Sequence, residues 1–320
     1  MSKVNDPIEQ AFQILKKKYK ADNILLNLRN TTYFELVEKI KLDRLAAITL
    51  GLDMLSHAST IDRFFGITLL TEICNPVETG EEADAQQIGK AFVAAAKHEK
   101  TLICNEALAH GLRFVASPDT LQAVLDFSFN DAAEIRWSAT CSLGSFIDVE
   151  DTLTVYRRLV ELSNDIDPDI RDWATMWLGS CLNLYDNKQA TEPIIARLGD
   201  RHIATRIEAV YALAESNNRR AVGPLKRLLM RNVLPLADKA IEAAGLLGLP
   251  ELQEYVGGWH DADSKNQDNA NNYLSEWAIK RCSADPIIKD SVDDDWLGDE
   301  WYINVLNGVR KPIKFRIAQD

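Results

Sequence analysis

Three stretches of the chain repeat one another at a fixed step of 35 residues: 130–144 (NDAAEIRWSATCSLG), 165–179 (DIDPDIRDWATMWLG) and 200–214 (DRHIATRIEAVYALA). Each carries an arginine at the same place, Arg136, Arg171 or Arg206, with Asn130, Asp165 or Asp200 six residues before it. Three residues after the arginine stand Ala139, Ala174 and Ala209. Four further on stand Leu143, Leu178 and Leu213, followed by Gly144, Gly179 and Ala214. Self-similarity at a period of roughly 20 to 50 residues is the mark of a solenoid. Positions 135, 139, 142, 143 and 146 share one face at helical spacing, so each stretch reads as an amphipathic first helix. The small alanine lets a neighbouring helix approach, and the leucine one turn on fills the next gap. Second helices are expected at 119–129, 150–162, 190–199 and 221–230, with Pro193 and Pro224 early in two of them. Neither helix of a unit can bury its apolar stripe alone; stacking the units makes one continuous core.

With these residues the chain resembles the HEAT-repeat superfamily, in particular the short bacterial HEAT-like repeats also found in phycobilin lyases. The resemblance is carried by the pairs Asp165–Arg171 and Asp200–Arg206, the Ala–Leu–Gly helix, and Pro168 in DPDIR. It implies an all-α, right-handed α-α superhelical solenoid. It also implies a structural ladder of bonds between successive units through Asp165, Arg171, Asp200 and Arg206. Arg136 joins that ladder with Asn130 or Asp131 as its partner.

The pattern extends outward with less fidelity. CNEALA (104–109) lies one step before ATCSLG, with Thr101 in place of the arginine. Residues 43–51 and 62–70 read as earlier first helices, and the polar segment 75–87 interrupts the register after them. Residues 236–248 continue the array with a step of 31 from Ala209 to Ala240. The expected organisation is an N-terminal capping region over 1–34 (helix 6–20), a solenoid over 35–260, and a C-terminal cap over 261–320. That cap reads as a helix within 263–282, an acidic loop at 285–300, and a small β-hairpin around Asn307–Gly308 whose Pro312 confines its strand to an edge.

Charge narrows the function classes. Net charge is −12, which disfavours nucleic acid, since binding there is driven by Lys and Arg on phosphates. The same balance suits another protein with a basic surface. The N-terminus is polar, without a signal-peptide apolar core, and no run approaches the length of a membrane span. The cysteines, Cys74, Cys104, Cys141, Cys181 and Cys282, are scattered and unmotifed, as in a reducing compartment. A cytoplasmic protein with no membrane partner is expected.

No catalytic constellation is visible, and no cofactor or metal is expected. The histidines (57, 98, 110, 202 and 260) form no HExxH or nucleophile motif. Residues 293–304 match a calcium loop at Asp293, Asp295 and Gly298 but fail at Leu297 and Asn304, where ligands are needed. Trp173 and Trp177 fall on the stripe with Ala174 and Leu178 and read as core. Trp137 lies on the opposite side of its helix from Ala139, exposed or covered by a neighbour or partner. Trp259, Trp296 and Trp301 cluster near the acidic end.

The function expected is therefore a noncatalytic protein-binding scaffold, concretely an inhibitor or immunity protein for a basic toxin. Second helices commonly line the concave face of such arrays, here presenting Gln122, Asp126, Arg157, Glu161, Lys226 and Arg227, then Glu251 and Glu254. The surface reads as mixed in charge at the centre and acidic toward the end. Partner-binding candidates are Trp137, Asp126, Arg157, Glu161, Glu251, Glu254, Trp259, Trp296 and Trp301. The alternatives are a phycobilin-lyase-like protein and a HEAT-like DNA-repair protein. The first rests on fold analogy alone. The second lacks an obvious basic stripe.

Overall fold

A computed structural model describes residues 43–75, 81–147, 152–181, 188–230, 237–257, 277–279 and 281–282. Among these residues the regular structure is helical, with no strand. The expected helix at 6–20, the acidic loop at 285–300 and the hairpin at Asn307–Gly308 with Pro312 lie outside the described residues. The chain divides into two compact units, Met1–Ala212 and Leu213–Asp320.

In the first unit, α1 (Arg44–Met54) leads into α2 (Thr60–Ile73), and the two pack against each other. Asp43 caps α1 by accepting from the Ala46 N–H, and Ser59 caps α2 by accepting from Asp62. Then come α3 (Glu82–Ala96), α4 (Leu102–Gly111), α5 (Pro118–Ser128) and α6 (Ala133–Leu143). They are followed by α7 (Thr152–Leu162), α8 (Pro168–Cys181), α9 (Lys188–Arg197) and α10 (Ile203–Glu215), the last of which crosses the unit boundary. First helices α2, α4, α6 and α8 pack side by side in one row, and second helices pack behind them. The reason is the repeat: Ala139, Ala174 and Ala209 are fully buried, as are Leu143 and Leu178. The Ala212 Cβ lies 2.7 Å from where a Cβ on Gly179 would be, too close for one, so the glycine sets how near α8 and α10 come.

Three details differ from the sequence reading. The polar run 75–87 does not simply interrupt the register: its residues from Glu82 on are the largely exposed first turns of α3. Arg44 ties that start down, through Nε to Asp84 at 2.8 Å and Nη1 to Glu81 at 3.0 Å. Periodicity was hidden there because the first buried residue of α3 is Ile88. α1 and α2 are joined by residues 55–59 with no second helix between them, so they cannot both open repeats of the 35-residue kind. Pro193 lies inside α9 rather than at its start, because that helix begins at Lys188.

Successive units are stitched by arginines. Arg136 Nε and Nη2 donate to both oxygens of Asp165 at 2.9 and 3.0 Å, and its Nη1 donates to the carbonyls of Asn130 and Asp131. Arg171 repeats this with Asp200, at 2.9 Å for both bonds, and with the carbonyls of Asp165 and Ile166. The carboxylate partner is thus the acid of the next unit, while the acid of the arginine's own unit contributes only backbone oxygen. Arg206 Nη1 holds its own loop through the Asp200 and Arg201 carbonyls. A further rung was not read from the sequence: Arg63 grips Glu99 at 2.7 and 3.1 Å and the carbonyls of His57 and Ala58.

Each carboxylate also orders its own loop. Asp165 accepts from the Asp167 N–H and Asp200 from the His202 N–H. Burial works against ionisation of both acids. The arginine hydrogen bonds and these N–H donors outweigh it and hold both carboxyls below the usual range. Against its own burial, Glu99 is held down at about 2 by Arg63 and by donors from Thr101 and Lys100. Where Thr101 replaces arginine, the acceptor in the following unit is the neutral Asn130, which orders its loop through the Ala132 N–H.

In the second unit, α11 (Val222–Met230) packs on α12 (Ala237–Leu247). Asn217 takes a positive φ of 51°, closing the end of α10 with the Asn218 N–H donating to the Leu213 carbonyl at 2.7 Å. The buried Trp277 ring lies on the Gly245 backbone, where any Cβ would overlap it. Of the helix expected within 263–282, residues 277–279 and 281 are helical.

The ladder yields a stability prediction. Arg171→Leu leaves the Asp200 side chain, 5% exposed, without its bidentate partner. Loss of about 3 kcal/mol in unfolding free energy is expected by urea titration; a loss under about 0.5 kcal/mol, the level of an ordinary surface change, would make the rung incidental.

Candidate protein-docking faces

The second helices of the first unit bury one stripe and expose the other. On α5, Leu121, Val124, Leu125 and Ser128 are buried, while Gln122 and Asp126 are exposed. On α7, Val155, Leu159 and Leu162 are buried, while Arg157 and Glu161 are exposed. Gln122 Nε2 donates to Asp126 at 2.7 Å. Arg158 pairs with Glu161 at 2.6 Å and reaches back to Ser128, its guanidinium 3.5 Å from the Phe129 ring centroid. This row is therefore mixed in sign, with its acids largely engaged by neighbours on the same face.

In the second unit Glu251 and Glu254 are exposed. Glu251 faces Lys226 at 3.6 Å and Arg219 at 4.0 Å, and Lys226 Nζ lies 5.5 Å from the Tyr255 ring centroid. Arg227 is exposed on α11. Toward its end the described surface is thus mixed in sign rather than acidic, because basic residues of α11 and the preceding turn meet Glu251. Trp259, Trp296 and Trp301 lie outside the described residues.

Trp137 belongs to a different row from Asp126, Arg157 and Glu161. It stands on first helix α6, half-buried, edge-on to Trp173 of α8 with centroids 6.0 Å apart and planes at 86°. Trp173 in turn meets Trp177 at 6.2 Å. Trp177 is buried, at 6% exposure, over Gly144. Trp173 is not core: its ring leaves the edge of the buried stripe and reaches partial exposure beside Trp137. A helix turns about 100° per residue, so the stripe through Ala174 and Leu178 ends between positions 173 and 177.

On α4, the helix packed against α6, stands an acid that sequence reading missed. Glu106 on α4 is half-buried and has no hydrogen bond or ion pair among the described residues. Burial, aided by the charge of Glu134 on α6, pushes its carboxyl up to about 7. The only sequence cue was a glutamate within the apolar stretch CNEALA.

All five cysteines are buried, and burial pushes Cys74 and Cys104 up to about 11, away from thiolate. His57 sits 3.2 Å from both Asp53 and Asp62, whose hydrogen bonds raise its pKa. Among the described residues no group of three or more His, Cys, Asp or Glu could hold a metal ion, and no helix is long and apolar enough to cross a membrane.

The raised Glu106 has a definite sign. An acid whose folded pKa lies above its unfolded value of 4.5 costs stability as pH rises through the interval up to about 7. Glu106→Gln is therefore expected to flatten the thermal midpoint between those pH values and to exceed the wild type above the interval. Identical pH profiles for the two proteins, measured by circular dichroism melts, would contradict this.

The comparisons agree with the architecture. A family model described as HEAT repeats matches residues 156–245. Protein YibA of Escherichia coli K12 is 29% identical over 134 residues, 42% of this chain. The YibA of E. coli O157:H7 gives the same figures, 29% over 134 residues. The matched part is 45% of YibA's own length, so the alignment spans less than half of that relative. The crystal structure of E. coli YibA superposes with a TM-score of 0.58 at 20% identity, covering 89% of this chain and 98% of that one, a likeness of fold. The step of 35, the arginine-stitched loops and the match together identify residues 156–245 as HEAT repeats.

Proposed function

We propose that the protein is a noncatalytic scaffold that docks another protein on the outward faces of its stacked helices. The observation that carries this reading is the recurrence of exposed polar side chains on successive second helices, Gln122 and Asp126 on α5 and Arg157 and Glu161 on α7. Buried residues of the same helices fix their spacing, so the array presents a preformed surface and loses little entropy on binding. Net charge of −12 favours steering toward a partner with a basic surface.

A sharper form of this reading is an inhibitor or immunity protein that covers a basic toxin or nuclease. Its support is that charge, together with the seven acidic residues of 285–300 standing in sequence near Trp259, Trp296 and Trp301. Aromatic anchors beside acids combine affinity with steering.

The test is affinity capture from native extract with the full chain, carrying a photo-crosslinking residue at Asp126 or at Glu161. A protein enriched over an unrelated helical bait, and crosslinked at those positions, is expected. Enrichment of nothing beyond the unrelated bait would overturn the scaffold reading.

A further inference from the structure

We infer that the face built by Leu102 and Glu106 on α4, Glu134 and Trp137 on α6, and Trp173 on α8 receives an arginine-bearing segment of a partner protein. The inference rests on the scaffold reading and specifies one docking face and its occupant. The three helices are neighbours in the first-helix row. Leu102 and Glu106 are four residues apart and Glu134 and Trp137 three apart, so each pair shares one side of its helix. Leu102 is 49% exposed, Glu134 is exposed, and Glu106 and both indoles are partly so.

Charge complementarity selects the occupant. On the other described faces several acids already have partners: Glu161 has Arg158, Asp126 has Gln122, and Glu251 has Lys226. The carboxylates of Asp119, Asp131, Asp169 and Glu254 have none among the described residues but are exposed to solvent, unlike the half-buried Glu106. Glu106 and Glu134 have neither an ion pair nor a hydrogen bond among the described residues. The arginines nearest in sequence to this face are engaged elsewhere, Arg136 by Asp165 and Arg171 by Asp200. Among the described residues, the charge acting on Glu106 is the like charge of Glu134, and that repulsion adds to burial in lifting its carboxyl. The face therefore lacks one positive charge, at a place where partial burial strengthens any pair that forms.

Arginine fits this place better than lysine. Its planar guanidinium offers N–H groups toward two carboxylates at once, and its flat face stacks on an indole such as Trp137. Leu102 and the edge of Trp173 offer apolar contact to the residues on either side of it. The occupant is a short segment with arginine between apolar residues.

A synthetic peptide, Gly-Leu-Arg-Leu-Arg-Gly, and a twin with citrulline in place of each arginine test this by titration of tryptophan fluorescence in the full chain. Citrulline keeps the shape and removes the charge. The arginine peptide is expected to bind saturably and the twin about tenfold more weakly or worse. Glu106→Gln with Glu134→Gln should bring the arginine peptide to the level of the twin, with far-UV circular dichroism unchanged. Trp137→Leu should weaken both peptides. Equal binding of the two peptides, undiminished binding by the double variant, or no saturable response in the wild type would overturn the inference. The two readings fail separately: partner capture unchanged by the double variant removes this face and leaves the scaffold, whereas an empty capture removes the scaffold itself.

Discussion

The fold depends on a helix pair that cannot bury its own apolar stripe. A unit of 35 residues has too little interior to stand alone, so stability comes from the joints between units. Two devices make those joints. Fully buried alanines and the backbone at Gly179 let first helices come close. Arginines then lock the loops at the helix starts, each holding two carbonyls of its own unit and, at Arg63, Arg136 and Arg171, both oxygens of a later acid. The first device is nonspecific and favours any close approach. The second fixes register, because bidentate geometry tolerates little displacement.

Second helices are stitched in the same way. Arg158 reaches from α7 to the Ser128 hydroxyl and carbonyl at the end of α5, and Arg197 from α9 to the Ser163 carbonyl just past α7. Arg197 also touches Asp200 at 3.3 Å, so that acid receives arginines from both rows. These arginines and the acids they hold thus act as connectors. The distribution of the acids bears on function, because Glu106 and Glu134 are among the described acids that connect nothing, and they stand on neighbouring helices of the row that carries the half-buried indoles.

Much of the fold was legible in sequence because the repeat is an exact step, and a step exposes its invariant positions without any alignment. Ala139, Ala174, Ala209 and their leucines mark the buried face by spacing alone. The pairing of the arginines was less legible. Asp165 stands six residues before Arg171, yet its carboxylate serves Arg136, since loop geometry turns the acid toward the preceding unit. Arg63–Glu99 escaped notice because the acid is Glu rather than Asp and the next unit lacks its arginine. Trp173 was misjudged because a stripe has edges, and a large ring at an edge can leave it. Glu106 was invisible in principle: its character comes from burial between helices and from Glu134, neither of which a single helical pattern records.

The most direct test of the stitched-joint account is backbone hydrogen exchange, corrected for intrinsic rates, followed as pH falls from 4.5 to about 2, the interval between the usual and the folded pKa of Glu99. A carboxyl held below its unfolded value gives stability that is present above that value and disappears as pH drops through the folded one. The N–H groups of Thr101, Asp167 and His202 donate to Glu99, Asp165 and Asp200 and should lose protection as those acids take up protons. The Ala132 N–H, which donates to the neutral amide of Asn130, should keep its protection longest. Simultaneous loss at all four loops, or loss at Ala132 first, would mean that the acids do not hold the units together.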